Sequence, residues 1–235
     1  MANKKESLFD QVFHILTTEK KHPTLDKILV FLTGNESCSK WQISKALGLS
    51  YGNTYVSIKD LLNNELIVIL ETRASGRNKK INVEYYGLTL LGFLLALNVI
   101  GVKPENKALI VSLIEKQNHL HPLFPKWNTL MQQVPQPALF QALSRTVGST
   151  FYEWNNHEGS FKRLYRDPTN YFTEKLLNLV QNNYSNYYLF SIENWLNAIH
   201  QDQELKNYVK TSIKESIRKE IETLEHYHEI LRQLD

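Results

Sequence analysis

A mainly helical chain with a small antiparallel hairpin in its first half is what the sequence predicts, and three observations carry that prediction. Apolar residues recur at three- and four-residue spacing through most of the chain. Two short runs, Leu66–Leu70 and Ile81–Tyr85, read as strands on either side of the polar stretch Ala74–Lys80. Beyond Gly101 the pattern is helical throughout and punctuated by prolines. The chain has 235 residues and 42% hydrophobic content, an ordinary globular composition that excludes collagen-like, low-complexity and wholly disordered classes. Its single cysteine, Cys38, excludes an intrachain disulfide framework and any Cys-rich zinc module. Residues 1–10 lack the apolar core of a signal peptide, so the cytoplasm is the expected location.

The elements follow in order. Ser7 can cap a first helix through about Thr17, and Lys20-Lys21-His22-Pro23 breaks it. Leu25, Ile28, Leu29 and Leu32 predict the next helix, ended by Gly34. Ser39 and Gln42 form a capping-box pattern opening a short helix with Ile43, Ala46 and Leu47. Gly48-Leu49-Ser50 is a tight turn, and a further helix runs from about Tyr51 to Asn64. After the hairpin, Thr89 caps an apolar helix through Leu97. Tyr85–Val102 contains no charged residue, but a strand followed by a buried helix explains it better than a membrane span, given its glycines, Thr89 and Asn98. Pro104 leads into a helix at Ala108–Ile114. Further helices are expected over Ala138–Trp154, from Pro168 through Tyr184, over Ser191–His200 and over Glu204–Leu234. The expected division is residues 1–100 and residues 101–235.

A small Ala46, a turn Gly48, an apolar Leu49 and a capping Ser50 let two helices pack closely and project the outer face of the second. That is the helix-turn-helix geometry by which a helix enters the major groove of duplex DNA. At 100° per residue, Thr54, Ile58, Leu61 and Leu62 point inward and Asn53, Val56 and Ser57 outward. Asn53 suits a bidentate bond to adenine and Val56 a thymine methyl, while Tyr51 and Tyr55 lie toward a phosphate. The contact segment comprises Ser50, Tyr51, Asn53, Thr54, Tyr55, Val56, Ser57 and Lys59. Asp60 also faces outward and would repel phosphate, so contact should stop short of it.

The polar stretch gives a second contact: Arg73, Ser75, Gly76, Arg77, Asn78, Lys79 and Lys80 are expected at the hairpin tip, where cations straddle phosphates or enter the minor groove. Charge supports this mildly, with 12 Lys and Arg against 9 Asp and Glu in residues 1–100 and 15 of each beyond.

Leu49–Tyr55, Leu61–Ile67, Gly76–Lys80 and Tyr86–Gly92 together resemble winged-helix transcriptional regulators of the PadR, MarR and ArsR type, over about residues 24–98. The resemblance implies an N-terminal winged helix-turn-helix bearing a two-stranded wing; with the helical pattern beyond Gly101, the expected fold class is mainly α, this domain being followed by a C-terminal all-helical domain. It also implies a double-stranded-DNA-binding repressor or activator, usually a homodimer on a palindromic operator. Glu65 departs from it, because such families often place Gly before the strand. The alternative on the same fold is a protein-interaction module within a larger assembly.

The second half carries no family resemblance in its motifs and holds 17 of the 26 aromatics. Trp154, Tyr184, Tyr187, Tyr188 and Trp195 mark a candidate pocket for a small-molecule effector, with a plain packed core as the favoured alternative. The apolar stripe of the last helix, from Leu205 to Leu231, either covers its own domain or pairs with a second subunit, and dimerisation is favoured. His119-x-His121 and His226-x-His228 lack zinc-helix spacing, and there is no Walker loop, dinucleotide fingerprint or nucleophile elbow. No catalysis, metal, cofactor or membrane partner is expected. Cys38, just before a helix start, is either a redox-sensitive thiol or structural.

Overall fold

The computed structural model describes residues 24–75, 82–127, 136–156, 168–169, 171–173, 200 and 202–234, less some side chains of the two longest helices. The elements are α1 (Thr24–Thr33), β1 (Cys38–Ser39), α2 (Lys40–Leu47), α3 (Tyr51–Asn63), β2 (Ile67–Ala74), β3 (Asn82–Leu88), α4 (Leu90–Ile100), α5 (Lys107–Lys116), α6 (Gln136–Asn156) and α7 (Gln203–Leu234). Short 3₁₀ turns at Pro104–Asn106 and Asn118–Leu120 flank α5. The expected helix at residues 7–17 and the one at Ser191–His200, apart from His200, lie outside the described residues.

Local chemistry sets the helix starts. Ser39 caps α2 with a full capping box: Ser39 Oγ accepts from Gln42 N at 3.3 Å, and Gln42 Oε1 accepts from Ser39 N at 2.8 Å. Thr89 caps α4 through Gly92 N at 3.1 Å. The sheet is antiparallel in the order β1-β3-β2. Two findings correct the sequence reading. The two-residue strand β1 was not expected; it pairs Cys38 with Tyr86 and Ser39 with Tyr85. The hairpin arms are also longer, pairing Ile67 with Leu88 at the base and Ala74 with Asn82 at the far end, with an irregularity between Ile69 and Glu71.

One apolar cluster runs from Ile28 in α1 through Phe93 in α4 and Trp127 to Phe172, so the core crosses residue 100 without a break. Every residue of α4 from Leu90 to Leu97 is buried, which accounts for its uncharged sequence. Gln117, at the end of α5, places its side-chain amide against the carbonyls of Leu32, Thr33 and Asn35 at 3.0–3.2 Å. The carbonyls of Leu32 and Thr33 end α1 and that of Asn35 follows it, so the second half of the chain caps a helix of the first; Leu32 O also accepts from Asn35 N at 3.1 Å.

His121 anchors the last helix in the same way. Its Nδ1 accepts from Leu123 N at 3.1 Å, which leaves the proton of the neutral ring on Nε2. Nε2 faces Thr169 O at 3.2 Å, Thr173 Oγ1 at 3.0 Å and Tyr208 Oη of α7 at 3.3 Å. Phe124, Phe172 and Tyr208 surround the ring at 4.8–5.9 Å. Burial pushes its pKa down to about 4.

Candidate nucleic-acid interface

The surface expected to read DNA is the outer face of α3, and its pose is fixed at both ends. At the start, Gly48 closes α2 in the left-handed region, φ +62°, where a Cβ would be strained. Leu49 N donates to Ser44 O at 3.0 Å and Ser44 Oγ donates to Leu49 O at 2.7 Å, which ties the turn to α2. Ser50 Oγ then caps α3 by accepting from Asn53 N at 3.2 Å.

At the far end, Leu66 N donates to Leu61 O at 2.9 Å and Glu65 N to Leu62 O at 3.0 Å. This is a Schellman close, with Leu61 and Leu66 both buried as its apolar contact. Its left-handed position is Glu65, φ +54°, where glycine is usual. The departure noted in the sequence is therefore a non-glycine residue holding the glycine geometry. Thr89 Oγ1 donates to Glu65 O at 2.7 Å, and Gly92 of α4 lies so close that a Cβ there would come within 1.9 Å of Leu66 O. The Thr-x-x-Gly spacing thus docks α4 directly against the turn that ends α3.

Burial divides α3 cleanly. Thr54, Ile58 and Leu61 are buried, while Tyr51, Asn53, Tyr55, Val56, Lys59 and Asp60 are exposed, Val56 at 58%. Two expected contact residues are corrected. Ser57 is buried, because it completes the i, i+3, i+4, i+7 stripe Thr54-Ser57-Ile58-Leu61 rather than the outer face. Thr54 is also buried, and its Oγ1 donates to Ser50 O at 3.0 Å. Ser50 and Lys59 remain exposed.

Lys40, at the start of α2, joins three elements. Its Nζ lies 3.3 Å from Glu84 of β3, 4.9 Å from the Tyr55 ring centre and 5.5 Å from that of Tyr86. The Tyr86 hydroxyl also donates to Glu84. Burial, then the bond to Glu84, pushes the Tyr86 pKa up to about 12. The Tyr86 and Lys40 bonds hold the Glu84 carboxyl below its usual range, against a desolvation effect. Neither Lys40 nor Trp41 was singled out in the sequence. Trp41 is 61% exposed and Lys45 lies 4.9 Å over its ring. The signal for Trp41 was available: two positions before the buried Ile43, it must face the opposite side of α2.

No protein-family model and no curated protein matches the chain. Among solved structures it is similar to the adhesin competence repressor (AdcR) from Streptococcus pyogenes, at 17% identity and a TM-score of 0.25, with 63% of this chain and 92% of that chain covered. At that TM-score the likeness carries no weight for fold or function.

The hairpin contact needs a second correction. Arg73 is a strand residue rather than part of the tip loop, since β2 continues to Ala74. Its Nε donates to Glu71 Oε2 at 2.7 Å and its guanidinium lies 4.7 Å over the Tyr85 ring, so its charge is already engaged. Ser75 ends the described arm; Gly76, Arg77, Asn78, Lys79 and Lys80 lie outside the described residues. So do Tyr184, Tyr187, Tyr188, Trp195 and the side chain of Trp154. Cys38 is buried, and burial pushes its thiol pKa up to about 11, the opposite of an activated thiolate. Among the described residues no His, Cys, Asp or Glu group could hold a metal ion, and no helix is long and apolar enough to cross a membrane.

Proposed function

We propose that the chain is a sequence-specific double-stranded-DNA-binding transcriptional regulator without catalytic activity, acting in the cytoplasm as a homodimer. The observation that carries this reading is the outer face of α3, where Asn53, Tyr55, Val56 and Lys59 stand exposed on a helix capped and pinned at both ends. Asn53 and Val56 read base edges, Tyr51 and Tyr55 approach phosphates, and Trp41 with Lys45 extends the contact along α2. Arg77, Lys79 and Lys80 at the hairpin tip add backbone or minor-groove contacts, as the sequence suggests. Residues 1–100 bind DNA in this reading, and residues 101–235 supply dimerisation through the last helix.

The test is a salt titration of the protein against genomic duplex fragments, with the Arg77→Ala/Lys79→Ala double variant alongside. The variant should bind all sequences more weakly and show a shallower salt slope. Unchanged binding and slope would remove the hairpin from the interface. One observation favours a second reading as a protein-docking module. Trp41, Tyr51, Tyr55 and Val56 are 51–61% exposed, and exposed aromatic clusters also mark protein interfaces. That reading predicts weak DNA binding with no sequence enrichment.

A further inference from the structure

The last helix presents a second exposed apolar surface. At 1.5 Å per residue its 32 residues span roughly 48 Å, and near its start Tyr208 packs against Thr173 and His121. Farther along, Ile217, Ile221 and Leu224 are 50–61% exposed at i, i+4, i+7 spacing. A shallow groove continues the stripe past Leu224 along Glu225, His228, Glu229 and Arg232. Aliphatic side chains in that pattern fit another helix.

Charge identifies which helix. From Lys206 to Lys219 the helix carries Lys206, Lys210, Lys214, Arg218 and Lys219 against one acid, Glu215. From Glu220 to Leu234 it carries Glu220, Glu222, Glu225 and Glu229 against one base, Arg232. The sign changes in the middle of the apolar stripe, between Ile217 and Ile221. A parallel pair of copies would lay base along base and acid along acid. An antiparallel pair lays the basic half of each copy on the acidic half of the other and also opposes the two helix dipoles.

We propose that two copies of this chain pair their last helices antiparallel through the Ile217-Ile221-Leu224 stripe, crossing near the Lys219–Glu220 boundary. This rests on the dimer in the reading above and adds its orientation. About that crossing point, Lys214 of one copy lies opposite Glu225 of the other, and Ile217 packs beside the second Ile221. The only contact within the chain that straddles the boundary among the described ion pairs is Arg218–Glu222 at 3.1 Å, which is exposed and adds little of its own.

Copies of the full chain that each carry one added cysteine test the orientation. Cys38 is buried and is left in place. Lys214→Cys and Glu225→Cys proteins, alone and mixed, are treated with a short bismaleimide, and sedimentation velocity reports whether each is a dimer. The mixed pair should cross-link roughly tenfold faster than either protein alone, a difference that reflects proximity at equal concentration. A dimer that cross-links best within one variant overturns the antiparallel arrangement and leaves the dimer standing. A dimer with no cross-link in any combination removes the last helix from the interface. A monomer overturns the dimer itself. Charge reversal is the second arm: Lys210→Glu/Lys214→Glu should weaken self-association about tenfold, and mixing with Glu225→Lys/Glu229→Lys should restore it. Failure of the mixture to recover would contradict the charge pairing.

Discussion

Among the exposed apolar surfaces of the described residues, the one on α2 and α3 and the one on α7 differ in chemistry. On α2 and α3 the exposed groups are Trp41, Tyr51, Tyr55 and Val56, accompanied by Lys40, Lys45 and Lys59. On α7 they include Ile217, Ile221 and Leu224, flanked by charges of both signs in separate blocks, with Tyr227 and Ile230 farther along. Aromatic rings with a polar edge beside cations suit a flat, anionic, hydrogen-bonding partner. Aliphatic knobs at helical spacing between self-complementary charge blocks suit a second copy of the same helix. The proposed reading surface and the proposed pairing surface thus differ in the side chains that accompany the exposed groups.

Breaking the frame beneath the first surface should give the largest effect. Gly92→Ala drives a methyl into the Leu66 carbonyl, and stability should fall by about 3 kcal/mol or more in a denaturant titration. A loss within about 1 kcal/mol would mean that α4 can slide away from the turn ending α3.

The lock at the base of the second surface is sensitive to acid. His121 has a folded pKa near 4 against an ordinary 6.5, so it stays neutral when folded while the unfolded chain takes up its proton. Its contribution is fully present above about pH 6.5, declines as pH falls toward 4, and levels off below. The amplitude is of order 3 kcal/mol. A His121→Gln variant should show a flatter stability profile over that window, and an unchanged slope would place the acid sensitivity elsewhere.

Ile221→Asp should separate the two surfaces. It should weaken self-association about a hundredfold in sedimentation, with little effect on thermal stability because the side chain is already half exposed. Asn53→Ala should relax base preference at one operator position by about 1–3 kcal/mol and leave stability and dimerisation alone. The smallest effect is expected at Glu65→Gly. Relieving a non-glycine residue at φ +54° should raise stability by about 0.5–1 kcal/mol, and a destabilised variant would mean that the Glu65 side chain contributes more than its backbone strain removes.

The fold is legible in the sequence where a few neighbouring residues settle the geometry. The Ser39–Gln42 box, the Gly48 turn, the Ser50 and Thr89 caps and the inward set Thr54, Ile58, Leu61 all follow from short-range spacing. Ser57 is harder to place from sequence because a small polar residue suggests the surface, although its angle lies within 60° of both Thr54 and Leu61. Strand β1 was invisible, since two residues carry no periodicity and their partners Tyr85 and Tyr86 lie far along the chain. The polarity of Arg73 suggests a loop, because its pairing with Val83 across the hairpin leaves no mark on polarity. The His121 network joins positions 48 to 87 residues apart and leaves no local trace at all.

The claim that α3 and its neighbours read duplex DNA is tested most directly by titrating purified protein against genomic fragments across salt and sequencing what is retained. With three or four phosphate contacts per subunit, affinity should fall roughly 10³–10⁴-fold between about 50 and 200 mM salt, and a palindrome should be enriched. Weak binding with a flat salt dependence and no enriched sequence would contradict the account.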